Sequence, residues 1–423
     1  MFVKTYTSAQ LERSRNLSIV EAALEHLIST LVTGSFLATL TGALGFSDSL
    51  TGILSSVIAL GCLFQLLSLL VRKHRVKKFV LTISVLNKLL FMLLYLIPLT
   101  PLPQSVQTGL FVVLILSAYL LYNLGSPKQI SWLLGLVDDQ RRGRFTAAKE
   151  IVSLIAGMVF SFLMGRVTDH FAEAGQLQIA FALAAGVIFL LMVGHFLSLL
   201  WVVDKPVSSG PAMRPMESLR RVLGNRRLLR AALVIVLYNI ANYVATPFYG
   251  TYQIHELGFS LTFVSLITMC GSVIRIFVAR AWGRYADRNS FAKMMRWCLV
   301  IFGTAQLCAA MAVPSNGRVM FCLYYILHGI AMGGMNSSLT NMVFDYADGD
   351  IRADSLAMTQ AAAGVAGFLA TLCVSPLVSY IQGSGSQLFG IPLYAQQAVS
   401  LVGMAFSVTA ALCLKKVICS QGK

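Results

Sequence analysis

The sequence predicts an all-α integral membrane protein of about twelve transmembrane helices in two related halves. Three observations carry this reading. First, the 423 residues are 57% hydrophobic and only 12% charged, with a mean hydropathy of +0.75. Soluble domains are about 45–50% apolar and about 25% charged, so the composition excludes a disordered chain and an ordinary soluble enzyme. Second, the apolar residues fall in runs of about 20, enough to cross a hydrocarbon core of about 30 Å at ~1.5 Å per residue. Third, basic residues collect in every second connection between the runs.

Hydrophobic patterning places the first six spans near Leu17–Leu44, Ser49–Val71, Phe79–Pro98, Ser105–Gly125, Thr146–Phe171 and Leu177–Val203. The second six fall near Leu229–Tyr249, Ser260–Trp282, Phe291–Val313, Gly317–Met342, Ser355–Ile381 and Ala395–Leu414.

The charge balance is 33 Lys+Arg against 17 Asp+Glu, a net of +16. Such a balance suits nucleic acid only when the cations share a face of a polar domain. Here they sit in short connections, among them Arg72–Lys78, Arg141–Lys149 and Arg280–Arg296. The opposite set of connections carries only Arg166 and Arg318. By the positive-inside rule, this alternation orients an even number of spans with both termini in the cytoplasm, and the expected location is the plasma (inner) membrane. The polar stretch Met1–Asn16 runs straight into a full-length apolar segment, which reads as no cleavable leader.

The one long connection, Asp204–Arg230, holds Pro206, Gly210, Pro211 and Pro215, a loop composition. It divides the chain into 1–203, a linker 204–228, and 229–423. The halves echo each other. A short basic turn after the second span recurs after the eighth, and Asp138–Arg144 after the fourth span matches Asp348–Asp354 after the tenth, both about 210 residues apart. Equal loop character at equal spacing marks an internal repeat.

One loop carries a family resemblance. Gly283-Arg-Tyr-Ala-Asp287-Arg288-Asn-Ser290-Phe-Ala-Lys293 resembles the Gly-x-x-x-Asp-Arg-x-Gly-x-x-Lys/Arg loop of the major facilitator superfamily, with Ser290 in place of the second glycine. Asp139–Arg144 and Leu388–Tyr394 are similar to segments of the same superfamily. The resemblance implies two pseudo-symmetric six-helix bundles rocking about a central site, with the first, fourth, seventh and tenth spans lining it. It also implies that Asp287, with Arg288, braces the cytoplasmic end of the eighth span as a gate. The plainer alternative is that these charges only set topology.

Polar groups at membrane depth are costly and mark candidate sites. Glu21 and Glu25 share a face of the first span, with Glu25 deep enough to serve as a coupling site and His26 beside it; a polar network at the helix end is the alternative. Lys88, mid-span beside Asn87, needs a partner, either structural or in transport. Tyr119, Tyr122 and Asn123 on the fourth span, and Asn239, Asn242 and Tyr243 on the seventh, form polar-aromatic stripes. They contact solute hydroxyls and amides or bond helix to helix. Arg275 binds an anionic group or pairs with a carboxylate such as Glu25. His328 on the tenth span is a candidate contact, whereas His195 on the sixth reads as a packed, hydrogen-bonded histidine.

Absences sharpen the reading. No phosphate-binding Gly-x-x-x-x-Gly-Lys-Ser/Thr motif occurs, Phe259 stands where a zinc-protease pattern begun at His255-Glu256 needs its second histidine, and the 8 cysteines lack metal spacing. No cofactor or metal is expected, nor an enzyme. The function predicted is secondary active transport of a small polar organic solute by alternating access, with protons as candidate coupling ion, lipid and solute as the partners, and a monomeric state. A multidrug exporter of the same fold and a non-transporting membrane sensor or scaffold are the alternatives.

Overall fold

The computed structural model describes residues 6–65, 76–137, 142–204, 222–347, 352–388 and 391–419. The predicted linker and the turns Arg72–Arg75, Asp138–Arg141 and Asp348–Ile351 lie largely or wholly outside them. Each predicted span is met by helix. The first is a broken pair, α1 (Ser8–Leu31) and α2 (Gly34–Ala43), bent by 41°. The break is permitted by Gly34, whose φ of +56° lies in the left-handed region that side chains disfavour. The next five are α3 (Asp48–Gln65), α4 (Val76–Leu96), α5 (Gln104–Leu134), α6 (Arg142–Glu173) and α7 (Leu177–Trp201).

The second set comprises α8 (Arg226–Ala245), α9 (Leu261–Arg288), α10 (Phe291–Ala310), α11 (Gly317–Tyr346), α12 (Arg352–Gly383) and α13 (Ala395–Cys419). Helical turns of mixed type carry α8 on from Thr246 to Glu256. A two-residue hairpin, β1 (Gln387–Leu388) against β2 (Ile391–Pro392), joins α12 to α13. Helix starts follow ordinary capping rules. Thr7 and Gln10 form a capping box on α1, and Asn225 accepts from Arg227 and Leu228 at the start of α8.

Among the described residues, nine helices are long and apolar enough to cross a membrane, ten with the bent pair counted, against about twelve expected. Of the other two predicted spans, the second runs on to Val71, beyond the described part of α3. Helix α10 has only 20 residues and carries Lys293 and Arg296 in its first two turns.

Packing groups the helices into two compact units. One comprises Met1–Phe46, Phe64–Gly210 and Ser260–Ser265; the other comprises Ser47–Leu63, Pro211–Phe259 and Leu266–Lys423. Within the first, α1 packs on α6 and α7, while α4 packs on α5 and α7. Within the second, α8 packs on α12 and α13, while α10 packs on α11 and α13. The same partner pattern therefore recurs, as expected of repeated sequence halves. The second unit has an extended apolar core around Leu228, Phe302 and Met335, and the first has a cluster around Val80, Trp132 and Leu199.

Candidate functional site

The packing of α1, α4, α5 and α7 draws four ionisable side chains together in the first unit. Glu21 and Glu25, one helical turn apart, project from the same face of α1. Lys88 of α4 places Nζ 2.5 Å from Glu25 Oε2, and the lysine side chain is 2% exposed. His195 of α7, 1% exposed, puts Nε2 3.1 Å from Glu21 Oε1 and 3.1 Å from Glu25 Oε2. Gln129 of α5 donates to Glu21 Oε1 at 2.6 Å, and Ser84 donates to Gln129 Oε1 at 3.4 Å. Beside Lys88, Asn87 donates to the Ala118 carbonyl at 2.8 Å and ties α4 to α5.

A lone ammonium in an apolar interior costs several kcal/mol, roughly, and is held only with a partner. Glu25 is that partner. In the second unit, Arg275 lies in electrostatic contact with His328 and Tyr238. Ligand atoms of Glu21, Glu25 and His195 all fall within 4.8 Å of one another, a donor set that suits a divalent ion. The ammonium of Lys88 already stands at Glu25 as the counter-charge. What the arrangement does chemically is hold a buried ammonium against a carboxylate, each supplying the other's counter-charge.

The polar-aromatic stripes divide in two. Tyr119 is buried and donates to the Val32 carbonyl at 3.2 Å, and buried Asn123 donates to the Tyr119 carbonyl at 2.9 Å. Asn239 donates to the Ile235 carbonyl at 3.0 Å, and the Asn242 carbonyl accepts from Thr246 at 2.7 Å. Tyr122, Asn239, Asn242, Tyr243, Arg275 and His328 are half-buried. His328 stacks on Tyr324 with centroids 5.4 Å apart and tilts against Phe302 at 5.9 Å. Thr371 donates to the Tyr243 carbonyl at 2.6 Å, and the Tyr243 ring lies in the notch left by Gly367. In the second unit, α8, α9 and α11 thus bring Tyr238, Tyr243, Arg275 and His328 into one neighbourhood.

A family model for the major facilitator superfamily matches residues 22–371, most of the chain. The chain belongs to the major facilitator superfamily. It is a secondary transporter, not an enzyme, and a multi-pass integral membrane protein. None of the curated proteins matches it in sequence. Solved structures show the same fold at low identity. A variant of the nucleoside transporter NupG superposes with a TM-score of 0.72 and 16% identity, covering 96% of this chain and 99% of that one. A D-xylose-proton symporter gives 0.69 and 13%, covering 95% and 96%. A bacterial metal transporter gives 0.64 and 14%, covering 98% and 99%.

The superfamily loop continues α9 to its end. Asp287 and Arg288 lie exposed in its last turn, and Ser290 caps α10 by accepting from the Lys293 amide at 3.2 Å. The side chains at the start of α12, where Asp287 is expected to act, lie outside the described residues. In the segment Leu388–Tyr394, the hairpin presents Tyr394 to Tyr252, with centroids 5.7 Å apart.

Two carboxylates of the transporter escaped the sequence reading. Asp48, 6% exposed, accepts at Oδ1 from His255 Nδ1 at 2.9 Å, and at Oδ2 from Gln382 at 2.8 Å and Gln396 at 3.2 Å. Asp169 on α6 accepts from the Leu261 and Thr262 amides. For Asp48, the available signal was the Ser47-Asp48-Ser49 run just ahead of an apolar segment, a helix-start pattern. Nothing in the spacing of Glu21 and His195 along the chain signals their contact.

Proposed function

We propose that this chain carries a small polar organic solute across the plasma membrane by proton-coupled alternating access, with both termini in the cytoplasm. The observation that carries the reading is the Lys88–Glu25 ion pair at 2.5 Å. An ammonium and a carboxylate withdrawn from water are costly to keep unless they serve a cycle. Glu25 is 20% exposed and Lys88 2%, so a proton arriving from water meets the carboxylate first. Neutralising it frees Lys88 and unbalances the contact between α1 and α4. That coupling makes Glu25 and Lys88 the proton-responsive pair. Asp287 and Arg288 serve as a cytoplasmic gate.

In the second unit the candidate solute contacts are Asn242, Tyr243, Arg275 and His328, all half-buried, with Asn239 bonding helix backbone beside them. In the first unit, taken by itself, the candidate is half-buried Tyr122, with Tyr119 and Asn123 bonding helix backbone. The similar folds of a nucleoside transporter, a D-xylose-proton symporter and a peptide transporter support a polar organic cargo. Two bundles, 1–203 and 229–423, joined by the linker 204–228, would move as the alternating elements.

The test is uptake of a library of sugars, nucleosides, peptides and organic acids into proteoliposomes, with and without an inward acid gradient. At least one solute accumulates faster with the gradient, and Glu25→Gln abolishes that dependence. No solute moving under either condition overturns the reading.

A further inference from the structure

We propose that the second unit binds an aromatic carboxylate, with the carboxylate on the Arg275 guanidinium and the ring against the imidazole of His328. This rests on the transport reading above and gives its solute a chemical class.

The backbones of α9 and α11 come together where Gly271 meets Gly329. They do so again one turn further along both helices, where a side-chain carbon added at Gly333 would lie 3.2 Å from the Arg275 carbonyl. Arg275 of α9 and His328 of α11 therefore flank one seam, about a turn apart. Helical side chains lean toward the helix N-terminus, so the long arm of Arg275 runs back along the seam toward His328. The electrostatic contact between the two agrees with that placement. Both residues are half-buried.

A guanidinium is permanently charged, and its planar fork matches the two oxygens of a carboxylate. An ionisable group kept at membrane depth marks a substrate or ion path. Tyr238 of α8 and His328, both in electrostatic contact with Arg275, bring no negative charge and can donate hydrogen bonds to an anion. One guanidinium offsets the single charge of a carboxylate, but not the nearly two charges of a phosphate monoester.

The rings around His328 set the shape of the solute. Tyr324 lies nearly parallel to the imidazole, at 25° with centroids 5.4 Å apart, and Phe302 tilts against it at 5.9 Å. Tyr324 is held edge-on by Tyr249, Phe321 and Tyr325. Tyr249, Phe302, Phe321 and Tyr324 are buried, so His328 is the half-buried member of a fixed aromatic wall. A flat ring packs on such a wall with π faces and edges matched, which a saturated ring cannot do. A carboxylate bonded directly to an aromatic ring presents both features one bond apart, as the neighbouring Arg275 and His328 require.

Calorimetric titration of the purified full-length protein with benzoate, 4-hydroxybenzoate and nicotinate tests this without a transport assay. At least one of them binds wild type roughly tenfold or more tighter than cyclohexanecarboxylate, benzyl alcohol and phenyl phosphate, which lack the flat ring, the charge and the carboxylate respectively. Arg275→Gln abolishes the preference over benzyl alcohol. His328→Leu keeps that preference and loses the one over cyclohexanecarboxylate. Arg275→Lys, which keeps the charge without the fork, binds with intermediate affinity and carries the assignment if Arg275→Gln does not fold. The proposal is overturned if none of the three acids binds, or if either Arg275 variant binds them as wild type does. It is also overturned if cyclohexanecarboxylate or phenyl phosphate binds as tightly as they do. Uptake of a sugar or nucleoside without binding of an aromatic carboxylate overturns this inference and leaves the transport reading intact. Binding that depends on Arg275, with no solute moved under either gradient condition, sinks the transport reading and leaves the site standing.

Discussion

The Asp169 carboxylate caps the helix that begins at Leu261. Oδ1 accepts the Leu261 amide at 2.9 Å, and Oδ2 accepts the Thr262 amide at 2.7 Å. The first amides of a helix lack intrahelical acceptors, and a carboxylate there also meets the positive end of the helix dipole. Asp169→Ala removes both acceptors and the charge, and is expected to lower stability by about 1–2 kcal/mol. Asp169→Asn keeps one acceptor and is expected to lose roughly half as much. Thermal unfolding of the purified protein, followed by intrinsic fluorescence, orders the two variants. Equal midpoints for Ala and wild type would contradict the cap.

Asp48 presents a different balance. Both its oxygens are used, by His255, Gln382 and Gln396, so α3 is pinned at its first turn to residues from three later elements of the same unit. Asp48→Asn puts an amide NH₂ against amide or imidazole donors, and is expected to cost about 1–3 kcal/mol as buried donors lose their acceptor. His255 is 32% exposed, so water replaces much of its bond, and His255→Gln is expected to cost less than Asp48→Asn. The same unfolding assay reads the order, and a reversed order would mean that His255 anchors the cluster.

The Lys88–Glu25 pair allows a sharper test. Removing one partner strands a buried charge, whereas removing both does not. Lys88→Met is expected to cost about 3–5 kcal/mol, and the double variant Lys88→Met, Glu25→Leu to recover most of it. Chemical denaturation of single and double variants gives the coupling energy. Additive losses would show that the two charges are held independently.

Much of the fold was legible because membrane spans announce themselves. Apolar length, Pro- and Gly-rich connections and alternating cations are local properties of a chain in lipid. The site was legible only in pieces. Glu25 and Lys88 stand out as ions within apolar runs, and Glu21 lies one turn from Glu25. Joining them to His195 needs the knowledge that α1 and α4 both pack on α7, and spacing along the chain does not contain that. His195 sits in a helix without another ionisable residue and resembles an ordinary packed histidine until its partners from α1 are present. Asp48 and Asp169 sit near helix ends, where an acid is unremarkable, so neither signals that it bonds a segment far along the chain. The bend at Gly34 was missed because one apolar run spans both of its helices.

Glycine positions carry the last prediction. Helices α9 and α11 come into close backbone contact where Gly271 meets Gly329. A side-chain carbon added at Gly329 would collide with the Gly271 carbonyl, and one at Gly271 would come 2.8 Å from the Tyr325 carbonyl. Backbone atoms cannot move aside as a flexible side chain can, and small residues at such crossings are what lets membrane helices pack. Gly329→Ala is therefore expected to destabilise by about 1–3 kcal/mol, the range for overpacking a close-packed core. Gly283, in the exposed last turn of α9, has open space around the same added atom. Gly283→Ala is expected to be neutral or slightly stabilising, because alanine favours the helix by about 1 kcal/mol over glycine. Unfolding midpoints of the two variants side by side decide the matter. Equal behaviour would mean that α9 and α11 separate enough in the membrane to accept a methyl group at their crossing.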